Sequence, residues 1–126
     1  MITITPIFVC RDDTNTWVPT NETFTREEVA KKLGISRTTL WRHEHWIVIP
    51  AKILDYYRYV DAHPKELDWY CIWVLYSAIG LRKGEGSYEK AAVVMKSQQL
   101  LYLRRDFDEY VNQLVNQANK KRRKVA

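Results

Sequence analysis

The chain has 126 residues, 46% of them hydrophobic and 13% aromatic, which supports one packed domain or one domain with an appended oligomerisation element and excludes a disordered tail. No apolar run approaches the roughly 20 residues of a membrane helix, and nothing resembles a secretory leader. Cys10 and Cys71 lie far apart without metal-ligand spacing, so reduced core thiols in a cytoplasmic protein are expected and a structural disulfide is disfavoured.

The net charge of +5 is unevenly placed. Lys120, Lys121, Arg122, Arg123 and Lys124 account for all of it, so residues 1–119 balance at 15 basic and 15 acidic. Within the body, residues 82–105 hold six basic residues against Glu85 and Glu89, after which Asp106, Asp108 and Glu109 reverse the sign. Such patches suit nucleic acid, although a terminal basic run alone is weak evidence.

Residues 2–9 alternate and are β-rich, with Pro6 marking an edge. Arg11 to Thr16 is turn chemistry and Trp17-Val-Pro returns as a second short strand, so a small N-terminal hairpin is expected over residues 1–20. Thr25 followed three residues later by Glu28 is a capping box that starts a helix near Arg26. Val29, Ala30 and Leu33 give that helix one apolar side, and Gly34 suits its left-handed stop. Ser36 caps a second helix from about Arg37, whose inward contact is Leu40. Arg37, Thr38, Arg42 and either His43 or Trp41 then face outward. A short helix presenting such donors fits a DNA major groove, where Arg reads guanine edges. The alternative is an ordinary helical corner with a solvated face.

Trp46 to Pro50 and Tyr56 to Val60 are two short β-competent runs. Residues 51–55 between them are either a turn, which makes a β-wing, or a helical start through Tyr59; the wing is preferred. His63-Pro64 breaks the chain, with Pro64 in the first turn of the next helix. Leu67 to Leu81 is strongly apolar at helical spacing and predicts the central buried helix, closed by Gly80. Ser87 caps a further helix with Ala91, Ala92, Val94 and Met95 as candidate contacts. Gln98 to Asn119 contains neither Gly nor Pro and reads as one long helix. Its Leu100, Leu103, Phe107, Tyr110 and Leu114 are spaced 3, 4, 3, 4, a seam that fits a twofold mate, the alternative being a stripe packed onto its own chain.

Glu28-Val-Ala-Lys-Lys-Leu-Gly-Ile-Ser-Arg-Thr-Thr-Leu, then Glu44 and Ile49-Pro50, resembles the opening of MerR-type transcription regulators. The resemblance continues through Tyr57-Arg58-Tyr59, Leu67, Ile72, Ile79-Gly80 and Tyr88 to Met95, and covers roughly residues 22–119. It implies a winged helix-turn-helix, a Tyr–Arg pair in the wing and a terminal helix that pairs antiparallel across a dimer. Trp41-Arg42-His43 departs from the Arg-Tyr-Tyr common in that family, so contacts there do not transfer directly and Trp41 is either core or sugar-packing. Among relatives lacking an effector domain, the chain is similar to short MerR-type repressors encoded beside type V-K CRISPR-associated transposons.

The expected fold is therefore mainly α, a winged helix-turn-helix over residues 21–81 with a helical dimerisation region over 82–119 and a basic tail over 120–126. The expected function is a homodimeric, sequence-specific repressor that occludes a promoter on double-stranded DNA. Activation by DNA distortion and an excisionase-like architectural role are the alternatives. The candidate DNA-binding set is Thr25, Arg26, Ser36, Arg37, Thr38, Thr39, Arg42, His43, Lys52, Tyr57 and Arg58. Within it, the resemblance gives Tyr57 and Arg58 phosphate contacts from the wing, Lys52 is a candidate to join them there, and Thr25 and Arg26 would use a helix N-terminus. His43, His45 and His63 have no catalytic partner at a recognisable spacing and no Gly-rich phosphate loop exists, so no enzyme, cofactor, metal or small-molecule effector is expected.

Overall fold

Thr25 opens the first helix with reciprocal capping. Its hydroxyl accepts from the Glu28 N–H at 3.2 Å, and Glu28 Oε1 accepts from the Thr25 N–H at 3.1 Å. Helix α1 (Arg26–Leu33) ends at Gly34, whose φ of 70° is cheap only for glycine. Ser36 then caps α2 (Arg37–His43) through the Thr39 N–H at 3.1 Å. The two expected short helices and the turn between them are present in this register. The computed structural model describes the backbone of residues 22–124 and side chains as far as residue 113, with that of Asn116. The N-terminal hairpin expected over residues 1–20 lies outside the described residues.

After α2 the chain departs from expectation. Residues 46–50 are the run expected to open a wing, yet Glu44–Val48 forms a π-helical turn continuous with α2. Leu40, His43, Glu44, Ile47, Val48 and Ala51 are all buried, so helical spacing runs on past the end of α2. Pro50 has no N–H and its ring crowds the carbonyl four residues earlier, and the turn before it is widened, with the Ile49 N–H donating to the Glu44 carbonyl at 2.9 Å. Lys52, at φ 56°, reverses the chain in the left-handed region. The second wing strand is likewise helical. Helix α3 (Leu54–Ala62) replaces it because Tyr56 is buried while Tyr59 and Val60 pack on the same core at i+3 and i+4. Among the described residues the one β pairing is the Phe24–Leu67 bridge, with N–H···O distances of 2.8 Å in both directions.

Helix α4 (Trp69–Glu85) is the axle of the fold. Residues 69–75 are all buried, as expected for a helix apolar on every side that is surrounded by partners. It starts at Asp68, whose carboxylate accepts from the Cys71 N–H at 3.0 Å, and Pro64 lies in the preceding turn instead of the first helical turn. It runs through Gly80 and stops at Gly86, with φ 83°. Ser87 caps α5 (Tyr88–Ser97), which buries Ala91, Ala92 and Met95 against α4 and the π turn; Val94 is only half-buried.

The single long C-terminal helix is also corrected. A 3-10 turn over Gln99–Tyr102 and an extended Leu103 precede α6 (Arg104–Lys124). Leu100 and Leu103 are therefore not on the helix that carries Phe107 and Tyr110. Leu100 is 77% exposed, whereas Phe107 is buried in its own chain against Tyr70 and Trp73. Tyr110 is half-buried, and the Leu114 side chain lies outside the described residues. Leu100 and Leu103 therefore do not continue the α6 stripe of Phe107 and Tyr110. One apolar core runs from Phe24 to Phe107, and α4 crosses residues 81 and 82, so packing does not divide the chain there. The basic run from Lys120 begins inside the α6 backbone; its side chains lie outside the described residues.

Candidate nucleic-acid interface

Two of the eleven candidate DNA contacts are committed to the frame. Arg26 Nε and Nη2 donate to the two oxygens of Glu44 at 2.9 Å each, and Nη1 donates to the Pro64 carbonyl at 2.6 Å. Glu44 is only 2% exposed and also accepts from the Tyr56 hydroxyl at 2.5 Å. Burial by itself raises the Glu44 carboxyl, but the hydrogen bonds from Arg26 and Tyr56 and the Arg26 charge together hold it below the ordinary value. This triad joins α1, the π turn and α3, and with the Pro64 carbonyl it engages three of the five Arg26 N–H donors.

His43 is the second correction. It is buried, its Nδ1–H donates to the Thr39 carbonyl at 2.7 Å, and its ring meets Tyr88 edge to face at 5.2 Å. Desolvation pushes its pKa down against the Thr39 hydrogen bond, and the nearby Arg82 charge lowers it further. The unfolded chain takes up a proton here near the ordinary histidine value of about 6.5, whereas the folded chain does so only at lower pH. Stability present above that value is lost as pH falls through the folded pKa of His43. Glu44 adds a second loss of the same sign as pH falls below the ordinary carboxylate value through its own depressed pKa. Urea midpoints should therefore decline in two stages on acidification. A His43→Leu variant should lack the first stage and keep the second.

Thr25 and Ser36 are exposed but serve as caps, and Thr39 Oγ1 accepts from the Ser36 hydroxyl at 2.9 Å. What α2 leaves on the surface is Arg37, Thr38, Trp41 and Arg42. Trp41 is 48% exposed, which settles it as surface and not core. The π turn extends this face. His45 stacks on Trp41 with centroids 4.5 Å apart and planes 19° from parallel, and Trp46 stands edge-on to Trp41 at 5.9 Å. The Arg42 guanidinium lies 5.7 Å from the Trp46 ring. Cations and aromatic faces are thus interleaved along one continuous strip.

Lys52 and Tyr57 come together at a cavity of about 300 Å³ between the π turn and α3, lined also by Ile49 and Leu54. Arg58 is exposed on the same helix as Tyr57, one residue on. These three side chains are accessible, but on a helix and its leading turn instead of a wing. The sequence reading missed His45, Trp46, Tyr88 and Glu44. The signal for Glu44 was the unbroken helical spacing from Leu40 to Ala51; for Trp46, assignment to a strand concealed its place beside Arg42. Comparison of the chain with models of protein families, with curated proteins and with solved structures returns no match.

Proposed function

We propose that this chain is a sequence-specific, double-stranded DNA-binding regulator of MerR-like type that acts as a homodimeric repressor by occupying a promoter. The observation carrying this reading is the capped α1–Gly34–α2 unit with Arg37, Thr38, Trp41 and Arg42 exposed on its second helix. Helices of such units enter the major groove with their early residues at base edges. Arg37 and Arg42 are suited to guanine, while Trp41 offers an apolar face to thymine methyls. Lys52, Tyr57 and Arg58 are suited to phosphates, which fix register without reading sequence. In this reading α6 supplies the dimer contact beyond Phe107, which is already used within the chain. A dimer of this kind meets successive grooves about 34 Å apart on one face of the duplex. Among the described residues no helix is long and apolar enough to cross a membrane.

Footprinting on genomic fragments, starting with the chain's own upstream region, tests the proposal. A discrete protected segment is expected, and its absence from every fragment would sink the reading. Once an operator is in hand, Arg37→Ala and Arg42→Ala should each weaken it about ten- to a hundredfold, since one Arg–guanine pair carries roughly 1–3 kcal/mol. Titration against operator and scrambled duplexes separates the roles. Equal losses on both would demote these residues to phosphate contacts.

A further inference from the structure

Beside the α2 strip, between the π turn and α5, lies a groove of about 550 Å³ walled by Trp46, Tyr88, Ala92 and Val93. Its volume lies within the roughly 300–1,000 Å³ of pockets that hold small ligands. Trp46 is 45% exposed and Val93 65%, so the chain's own core covers neither. The Trp46 and Tyr88 rings meet at 84° with centroids 5.1 Å apart and form an aromatic corner. Cations lie behind its two rings, while its own wall sets one Lys against one Glu. Arg42 lies 5.7 Å from the Trp46 ring, Arg82 lies 4.7 Å from the Tyr88 ring, and Lys96 stands on the wall opposed by Glu89.

Aromatic faces beside cations match a flat base attached to a phosphate chain, because stacking and charge are then satisfied together. An apolar protein segment would use Ala92 and Val93 but would bring no anion to Arg42, whose contact here is the Trp46 ring. A base inside an intact duplex is stacked on both sides and cannot enter; it must first leave the stack. We propose that this groove binds an unpaired nucleobase of a DNA whose duplex part lies on α2, an inference that rests on the DNA-binding function above. The protein would then favour DNA carrying an unstacked base over perfect duplex.

The test measures binding of the full chain at low salt to a perfect duplex, to the same duplex with one unpaired thymine, and to the single strand. The duplex with the unpaired thymine should bind about tenfold more tightly than the perfect one, in line with base–aromatic stacking elsewhere. That ratio should fall to about one in Trp46→Ala and in Val93→Glu and persist in Trp46→Phe. Val93 is exposed, so its substitution alters the groove without opening the core. Equal affinity of the unmodified chain for both duplexes, or a ratio that survives Trp46→Ala, overturns the groove and leaves duplex binding standing. Binding to unpaired probes alone keeps the groove and overturns the regulator reading. No binding to any probe overturns both. An unchanged ratio in Val93→Glu together with a lower sedimenting mass assigns the groove to a second copy of the chain, and that too overturns the inference.

Discussion

Arg26→Met should cost about 3–5 kcal/mol of folding stability at neutral pH, the loss typical when one partner of a buried ion pair is removed. The asymmetry of the pair decides which deletion is worse. Glu44 is 2% exposed, so without Arg26 its carboxylate keeps the Tyr56 hydroxyl as its hydrogen-bond donor, with the His45 ring 3.9 Å away. Arg26 is 21% exposed at its side chain and still reaches the Pro64 carbonyl, so Glu44→Gln should cost less. The pH dependence fixes the mechanism. In the unmodified chain the depressed Glu44 pKa contributes stability that is present above the ordinary carboxylate value and lost as pH falls through the folded one. In Arg26→Met the desolvation that raises the carboxyl is no longer outweighed, so acid relieves the strain. The deficit in urea stability should therefore shrink between pH about 7 and about 4. A stability identical to the unmodified chain, paired with weakened DNA binding, would return Arg26 to the role of phosphate contact.

Phe107→Ala should cost a similar amount, about 3–5 kcal/mol, through the cavity it leaves. The ring packs against Tyr70 at 5.8 Å and Trp73 at 5.3 Å and fastens α6 to α4. Against a total stability of typically 5–15 kcal/mol, that is a large fraction. The measurement that separates a core role from an intermolecular one is the concentration dependence of the loss. A residue consumed within its own chain gives the same stability difference at every protein concentration, whereas a seam residue gives a difference that varies with it. We expect no dependence for Phe107→Ala. A loss that vanishes in dilute protein and grows with concentration would place Phe107 in the dimer contact.

These two residues also show what could be read in advance. Local chemistry was legible: the capping box at Thr25, the stop at Gly34, the caps at Ser36 and Ser87, and the apolar run of α4 all rest on neighbours within four positions. The break before α6 was not. Nothing between Gln98 and Arg104 is a breaker; the break coincides with distant partners. The Tyr102 carbonyl accepts from the Tyr70 hydroxyl, the Arg104 N–H is taken by Asp55 Oδ2 at 2.9 Å, and the Gln99 amide donates to the Ala51 carbonyl at 3.0 Å. The wing failed for a related reason. A five-residue run rich in apolar and aromatic side chains suits strand and helix alike, and burial of Tyr56 beside Glu44 chose between them. Of the proposed site, Arg37, Thr38 and Arg42 were identified as outward-facing, whereas His43 was misplaced because its burial depends on Tyr88 in a later helix.

The Arg26–Glu44–Tyr56 triad has a consequence for how such a sequence can change over time. Its members are not freely exchanged one by one, since losing Arg26 strands the buried Glu44 carboxylate and losing Glu44 strands the buried Tyr56 hydroxyl. A coordinated swap to apolar residues of similar volume is often neutral or even stabilising, so the present set and an apolar set are two viable solutions separated by a valley. The outward residues of α2 sit outside this lock: none of Arg37, Thr38, Trp41 and Arg42 bonds to the triad. Drift can therefore rewrite the exposed face position by position while the frame beneath it stays fixed. A lineage built on this scaffold would diversify its targets quickly and its architecture hardly at all.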